Sequence, residues 1–576
     1  MASLNARSGV LGRRLAHHLL SRVTYNITPS RIDYFATRTA TQAINELFNP
    51  TGSPPLYPDG PLDATGVKVF SDSDYLHQPG RSYNGGNRRR AIESWRCYEA
   101  MGCTTAKWKV IHYFASIFSV FTQGIIYQYH FWRLLEKTAF TDIKNFALKV
   151  TYDQVMLRYL NNNVNIASAP NENFARELLE LFTILKGPQI ATGNYTTYTE
   201  ADISQAARVL TGIRTVTPND TAPTTSIANP SHPNHATTSG LIDPDTGLPR
   251  GYNQAGSRHD SGNKTFSAAF QNYTVVGQNT VAGMDAEVAD FVDMVFNQLA
   301  TAKSYVRKMY HFFVNDQIST EVENDIITPL ANQLLSSGYD HIAVMKVLFK
   351  SVHFFDEDDT NSNDEIIGAK IKSPHELMLT TKNQVEAEYQ RNSTSSTYYD
   401  ELFRIDWNTI CAYGLTQSGL DTRGPVTVEG FPGWNDDARS KHWFSTNYVY
   451  NRFTYGLSFR RGRLRNSNTF FAYKTDMVAW VKRNIDVAGG PGTPQAPVGA
   501  ADANLLINKM LGYLLVEVPV GDRLCYFQKQ LLGGLSTINW YTAWSDYLTT
   551  GVDTEVRLGI ERLYDSIMSS PEFQTF

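Results

Sequence analysis

Apolar residues recur at helical spacing along most of the chain. The segment Ser30–Phe48 (SRIDYFATRTATQAINELF) places apolar side chains at Ile32, Phe35, Ala36, Ala43 and Leu47. Spacings of three and four residues align side chains on one face of a helix. The same pattern predicts further helices in residues 105–135, 140–161, 171–186, 284–315, 319–336, 340–352, 475–484, 502–515 and 554–569.

Two of the predicted helices carry clear start signals. Thr199 precedes EADISQAARVLTGI, and Asp202 stands three residues after it. Ser373 precedes Pro374 and Glu376 in the same arrangement. A hydroxyl at the N-cap and a carboxylate at N3 satisfy free backbone N–H groups, and Pro is well tolerated at N1. We therefore expect helices to begin at these two positions.

Three segments lack helical periodicity. Residues 215–283 are rich in Pro, Thr, Asn and Gly, with a strand-like piece at Phe270–Val276, and residues 416–436 and 486–501 are rich in Gly and Pro. Loops of that length are usually functional surfaces. We find no internal repeat. The pattern predicts one mainly α-helical unit over residues 1–576, with long irregular loops and a few short strands.

Composition narrows the class of protein. Charged residues are 19% of the 576-residue chain and aromatic residues 12%, and the net charge is −4. That charge gives no electrostatic footprint for nucleic acid. A surface built from neutral polar groups favours an extracellular or cell-envelope protein. Protein partners or self-association are then expected.

The N-terminal segment leaves open how the protein would reach the extracellular space or the cell envelope. Its apolar stretch is short and is interrupted by His17, His18 and Arg22, which is unlike a secretory signal. A cytoplasmic chain, a signal already removed and an unusual export route all remain open. No run of 18 apolar residues occurs, so the sequence predicts no membrane span.

The stretch PNENFARELLELFTILKG, Pro170–Gly187, is the first candidate for chemistry. On a helical projection one face carries the Leu and Phe residues, and the opposite face carries the polar residues Glu172, Asn173, Arg176, Glu177, Glu180 and Thr183. Glu172, Arg176 and Glu180 form a ladder of alternating charge, which an exposed face explains. Glu177 and Glu180 stand at i and i+3, a spacing that lets two carboxylates reach one metal ion or one cation.

The second candidate is RHDSGNKTF, in which His259, Asp260 and Lys264 lie within six residues of one another. A His–Asp pair can bind a metal or transfer protons. Turns also use Asp and Gly for backbone reasons alone, so both interpretations stay open.

Familiar catalytic signatures are absent from the sequence. It contains no GxSxG, P-loop, GxGxxG after a strand, HExxH or CxxC motif. Cys97 and Cys103 are close enough in sequence to form a disulfide, and four isolated buried thiols would explain the cysteines equally well.

Several stretches together resemble a large bacterial family, domain of unknown function 1800. They are PNENFARELLELFTI, YTEADISQAARVLTGIR, RHDSGNKTFS, AKSYVRKMYHFFV, IKSPHELM, GPVTVEGFPGW and IMSSPEFQ, in the family's order over nearly the whole chain. The character of the sequence is most similar to that of members from Bacteroidota-type bacteria. The resemblance implies a mostly helical, often exported protein, commonly encoded beside a sulfatase-like family, with no securely assigned activity.

One departure from the family pattern bears on function. The family usually carries a His-Asn-His motif before the Asn-Glu-Asn-Phe-Ala-Arg-Glu segment. The two histidines of that motif, together with Glu177, Glu180 and His259, would form a set of metal ligands. Ala115 and Ile117 occupy the matching positions here, with His112 or His130 as substitutes.

Three hypotheses follow from these residues. The first is a non-catalytic structural or assembly protein without a cofactor, in which Asn173, Arg176, Glu177, Glu180, His259 and Lys264 form a polar network that fixes the long loop to the core. The second is a metal-dependent hydrolase or oxidoreductase that holds a divalent metal through Glu177, Glu180 and His259, with Asp260 orienting the His. The third is a carbohydrate-binding protein, suggested by the surplus of Tyr, Trp and Asn. We favour the first.

Overall fold

The protein folds as an array of helices joined by long connections. The computed structural model describes residues 2–56, 60–61, 68–70, 72, 85–121, 124–215, 242–358, 365–390, 407–425, 427–435, 438–463, 471, 473–486 and 491–576. Helices dominate these residues, and strands occur only as pairs of two or three residues. The predicted mainly α-helical fold is confirmed.

The N-terminal half contains ten helices within the described residues. They are α1 Gly12–Val23, α2 Pro29–Ala36, α3 Ala40–Leu47, α4 Gly85–Gly102, α5 Lys107–Ile117, α6 Ile125–Thr138, α7 Ile143–Thr151, α8 Gln154–Tyr159, α9 Asn173–Glu177 and α10 Glu200–Val209. The predicted helix Ser30–Phe48 is thus two helices. The Thr28 side chain caps α2, and a capping box of Thr39 and Gln42 starts α3. A second cap gives the chain a local reason to begin a new helix.

The second half contains thirteen helices within the described residues. They are α11 Val281–Phe296, α12 Leu299–Phe313, α13 Thr320–Val322, α14 Thr328–Ser336, α15 His341–Lys350, α16 Pro374–Gln384, α17 Pro432–Asn435, α18 Thr446–Arg461, α19 Met477–Asn484, α20 Ala503–Leu514, α21 Gly521–Leu532, α22 Thr537–Thr550 and α23 Thr554–Met568. Both sequence-predicted capping boxes form, Thr199 with Asp202 and Ser373 with Glu376.

Within the described ranges, five antiparallel strand pairs close connections between helices. They are β1 Gln189–Ala191 with β2 Asn194–Tyr195, β3 Ile213–Arg214 with β4 Tyr252–Asn253, β5 Lys264–Thr265 with β6 Thr274–Val275, β7 Glu388–Tyr389 with β8 Tyr473–Lys474, and β9 Gly492–Thr493 with β10 Ala496–Pro497. The predicted strand piece at Phe270–Val276 contributes β6. Of the predicted loop 215–283, residues 216–241 lie outside the described part of the chain.

The core is one continuous apolar cluster that reaches from Leu11 to Phe576. A small second cluster packs Phe70 and Trp95 against Tyr129. Among the described helices, none combines the length and the apolar character needed to cross a membrane.

The four cysteines are free thiols. Cys97 does not pair with Cys103, because its sulfur lies 3.5 Å from that of Cys411 instead. Cys525 is exposed, which corrects the expectation that all four would be buried.

Candidate functional site

The stretch Asn173–Phe182 forms α9 followed by a π-helical turn at Leu178–Phe182. A π-turn inserts one extra residue into a helix and rotates everything after it. Thr183, placed on the polar face by the helical projection, is buried and donates its hydroxyl to Leu178 O at 2.6 Å. The helix predicted to reach residue 186 therefore ends early.

The predicted charge ladder is present on this helix. Arg176 lies 3.3 Å from Glu172 and 3.4 Å from Glu180. It also binds Glu200 of α10 at 2.7 Å, a contact the sequence did not suggest, and Lys186 binds Glu180 at 3.0 Å. Partly exposed pairs of this kind contribute at most about 1 kcal/mol each.

Glu177 differs from its neighbours. It is half-buried and makes no ion pair or hydrogen bond with the residues that the structure describes. Burial raises its pKa, and the nearby carboxylates of Glu180 and Glu429 raise it further, while Arg176 opposes them. Asn173 anchors the start of the helix, donating its side-chain amide to Leu160 O at 3.1 Å.

His259 and Lys264 lie in a different cluster, centred on Glu287 of α11. His259 Nε2 lies 3.1 Å from one oxygen of Glu287, and Lys264 binds the other. The side chains of Lys264 and Glu287 are completely buried, and the Gln278 backbone N–H donates to Glu287 at 2.8 Å. The network fixes the segment around His259 to the core helix α11.

Both ring nitrogens of His259 are used in this network. Nδ1 lies 2.8 Å from Thr211 O. Because a backbone carbonyl can only accept, Nδ1 is the donor of this hydrogen bond. Nε2 lies 3.1 Å from the Glu287 carboxylate. Protein groups therefore contact both ring nitrogens, and neither is left free to bind a metal ion.

Asp260 points away from His259 and towards Arg208 of α10. The guanidinium donates to the two carboxylate oxygens at 2.7 and 3.1 Å. The hydrogen bond from Arg208 is the main reason that the pKa of Asp260 is lowered. Asp260 thus ties the loop to α10 and does not orient His259.

The sequence-predicted residues are therefore divided between two places. Glu177, Glu180, Arg176 and Asn173 lie on and beside α9, whereas His259, Asp260 and Lys264 bind α10 and α11. In the described ranges, no three side chains among His, Cys, Asp and Glu converge on a point that suits a metal ion. Glu287 organises the second cluster. The sequence did not indicate this role, because the pattern of its helix predicts only which face is apolar.

Replacing Glu287 by Gln is expected to destabilise the protein by about 3 kcal/mol, because Lys264 and His259 would stay buried without a carboxylate. Urea unfolding followed by circular dichroism measures the change. Asp293→Asn on the same helix is the control: Asp293 pairs with Lys144 at the surface, and about half of its side chain is exposed. Equal losses in the two variants would contradict the structural role of Glu287.

A cleft that we call the basic cleft adjoins the π-turn. It has a volume of about 580 Å³, within the usual range for ligand sites. Its walls include Leu181, residues 427–430 and the side chains Ser304, Arg307, Lys308, His311 and Arg439. Ile117, which occupies one of the family's His positions, also lines it. The sequence contained a pattern that points to this cleft, because four of these side chains recur at helical spacing in α12. The family resemblance of that segment gives these four residues no role.

A second pocket has aromatic walls. His112 stacks on His375 with ring centres 4.1 Å apart, and His375 lies parallel to Trp434 at 6.0 Å. Burial lowers the pKa of His375 to about 3 and that of His112 well below its usual value, so both rings are neutral at pH 7. The cavity volume is only about 50 Å³, too small for an ordinary ligand without movement. His130, the other proposed substitute, is buried beside Tyr129.

Fold and site together define a large α-helical protein with a buried ionic network and a basic cleft beside a π-turn. The family model described as "Protein of unknown function (DUF1800)" matches residues 18–575, so the chain belongs to that family. The resemblance inferred from the sequence motifs is thereby confirmed. Among curated proteins and solved structures, none matches the chain.

Proposed function

We propose that the protein is a non-catalytic structural or assembly component that works through self-association. The setting we propose is outside the cell or in the cell envelope of a Bacteroidota-type bacterium. The low proportion of charged residues and the surplus of aromatic and neutral polar residues support this setting. On this proposal the ionic network around Glu287 holds the long loop in place and has no chemical role.

The observation that carries the proposal is a concentration of exposed apolar side chains near the C-terminal helices. We call this set the C-terminal apolar surface. Of the seven large apolar side chains in the described residues that are at least 59% exposed, five belong to it: Val520, Leu535, Ile538, Val552 and Leu558. Exposed apolar groups concentrated in this way are typical of interaction sites.

The helices that carry these residues are in close contact. A Cβ atom built on Gly559 of α23 would lie 2.8 Å from Leu531 O of α21 and 2.9 Å from the Trp540 ring of α22. Leu558 is adjacent to this contact, and Leu535 and Ile538 flank the start of α22. This contact brings Leu535, Ile538 and Leu558 into one region, while Val520 and Val552 lie at the opposite ends of α21 and α22.

A second copy of the chain is the partner that this region suits. Residues 531–552 contain a single charged side chain, Asp546. Two copies of such a surface can approach without like-charge repulsion, and interface centres are typically poor in charge and rich in Tyr and Trp. Helix α22 carries the partly exposed Tyr541 and Tyr547, whereas its Trp540 and Trp544 are buried in the core.

The double variant Leu535→Glu/Ile538→Glu tests the proposal. We expect the unchanged protein to associate as its concentration rises over two decades in analytical ultracentrifugation, and the double variant to stay monomeric, because two carboxylates would be buried in the contact. Ile190→Glu is the matched control, since Ile190 is 68% exposed on β1. A monomeric unchanged protein at every concentration, or association unaffected by the double variant, would reject self-association.

The alternative is a metal-dependent hydrolase or oxidoreductase, and Glu177 is the observation that favours it. A half-buried carboxylate with a raised pKa that makes no ion pair with the described residues suits a general base or a metal ligand. Elemental analysis of the purified protein separates the two functions. Stoichiometric metal that disappears in Glu177→Gln would support the enzyme.

A further inference from the structure

We propose that the basic cleft binds an oxyanion, namely the phosphate or carboxylate group of a small ligand. This inference concerns a site far along the chain from the C-terminal apolar surface and does not depend on self-association. It rests on the arrangement of the side chains of α12, on their charge and on a buried hydroxyl without a partner among the described residues.

One face of α12 supplies four of the cleft's polar groups. Ser304, Arg307, Lys308 and His311 stand at i, i+3, i+4 and i+7, which places them on a single stripe of the helix. All four line the cleft, and Arg439 lines it from the connection after α17. Side chains from two separate parts of the chain thus converge on one space.

The balance of charge in the cleft favours an anion. Glu429 is the one carboxylate among the described residues that line it, against the cationic groups of Arg307, Lys308 and Arg439. The Arg307 guanidinium donates hydrogen bonds of 2.9 and 2.6 Å to Glu323, a residue that does not line the cleft. Arg439 donates from Nη1 to Trp434 O at 2.8 Å, which fixes its guanidinium group at the edge of the cleft. Guanidinium and ammonium groups are the usual partners of phosphate and carboxylate.

Neutral groups in the cleft complete the set. Ser304 is fully buried, and its hydroxyl has no hydrogen-bond partner among the described residues. An unsatisfied buried hydroxyl is costly, and a ligand oxygen would satisfy it. His311 Nδ1 lies 3.3 Å from Asn315 O and so carries the proton, which leaves the Nε2 lone pair to accept from a hydroxyl of the ligand.

Lys308 makes the binding sensitive to pH. Burial lowers the pKa of its ammonium group to about 7, and the group donates to Leu181 O. The other charged groups that line the same cleft are Arg307, Arg439 and Glu429, and burial holds His311 neutral by lowering its pKa to about 3. A bound anion stabilises the protonated lysine, so affinity is expected to fall by about tenfold from pH 6 to pH 8.

Isothermal titration with inorganic phosphate, and separately with acetate, at constant ionic strength in chloride tests the site. We expect saturable binding at pH 6 and at least a tenfold loss of affinity in Lys308→Met/Arg439→Gln. The control is Lys529→Met, which removes a lysine from the exposed face of α21. Stronger binding of phosphate than of acetate would assign a phosphate ligand, and the reverse a carboxylate ligand.

A second measurement uses the unchanged protein, so it does not depend on folding of the variants. Lys308 should react with acetic anhydride at pH 7.5, read by mass spectrometry of its peptide, and phosphate should protect it while Lys529 stays reactive. The proposal is overturned if chloride competes equally, if the double variant binds as well as the unchanged protein, or if phosphate protects both lysines alike.

Discussion

Replacing Glu376 by Gln is expected to destabilise the protein by about 5 kcal/mol or more, because it removes the shared counterion of a buried cationic cluster. The carboxylate lies 2.7 Å from Lys109 Nζ, and both side chains are almost completely buried. It also accepts the Ser373 backbone N–H that starts α16, at 2.6 Å.

Five buried cations surround this carboxylate. Burial lowers the pKa of each one, and the charge of Glu376 raises each pKa in part towards its usual value. The five are Arg22, Lys109, Lys370, Lys372 and Arg452. For Lys370 the larger opposing charge is that of Asp316, 3.2 Å away. The glutamine amide keeps the size of the side chain, but its single oxygen can accept from either Lys109 or the Ser373 N–H and not from both. The substitution therefore removes the charge together with one hydrogen bond.

The pH dependence of the Glu376→Gln variant gives an independent check. Burial lowers the pKa of Lys372 to about 7 and of Lys109 to about 8. A lysine whose pKa is lower in the folded state binds fewer protons there than in the unfolded chain, so stability rises with pH above the folded pKa. Without the charge of Glu376 both pKa values are lower still, so the variant should gain stability as the pH rises to 9 and should begin to do so at a lower pH than the unchanged protein.

Urea unfolding and the thermal midpoint measure both effects. Glu517→Gln is the control, since Glu517 pairs with Arg14 at the surface and about half of each side chain is exposed. We expect that control to change stability by less than about 1 kcal/mol. If Glu376→Gln behaves like the control, or loses stability as the pH rises to 9, the cationic cluster does not depend on Glu376.

The second large effect is acid unfolding driven by buried neutral histidines. Burial lowers the pKa of His17 and His375 to about 3 and of His341 to about 4, and it lowers those of His18 and His112 well below the usual value. In the unfolded chain each ring takes up a proton near pH 6.5, whereas in the folded protein it stays neutral. Stability is therefore lost as the pH falls below 6.5, by about 2 kcal/mol per histidine at pH 5.

Two buried carboxyl groups oppose this loss. Burial raises the pKa of Asp153 to about 7 and of Asp356 to about 6. As the pH falls, these carboxyl groups take up protons in the folded state before they do so in the unfolded chain. Between pH 6.5 and pH 5 this uptake stabilises the folded protein by about 2 kcal/mol for Asp153 and about 1 kcal/mol for Asp356. The five histidines outweigh them, and the net loss of several kcal/mol is comparable to the whole stability of many domains.

The variant His341→Gln measures the contribution of one ring. His341 Nε2 donates to Ala139 O at 2.9 Å, a bond that a glutamine amide can also make. We expect the variant to lose about 2 kcal/mol less than the unchanged protein between pH 7 and pH 5 in urea unfolding. Parallel pH profiles for the two proteins would show that the ring does not drive acid unfolding.

The sequence by itself determined the features that depend on near neighbours in the chain. The capping boxes at Thr199 and Ser373 and the ladder from Glu172 through Arg176 to Glu180 formed as predicted. Each joins residues three or four positions apart, and helical geometry alone brings such residues together. The mainly α-helical fold follows from the same periodicity.

Only the tertiary structure decided which charges share a site. His259 was expected near Glu177 and instead contacts Glu287, and Asp260 contacts Arg208. The π-turn at Leu178–Phe182 rotated Thr183 into the core. Contacts between residues distant in sequence depend on how helices pack, and one helical pattern is compatible with many packings. The sequence therefore tells which side chains are charged, whereas the packing of the helices decides which residue each charge binds.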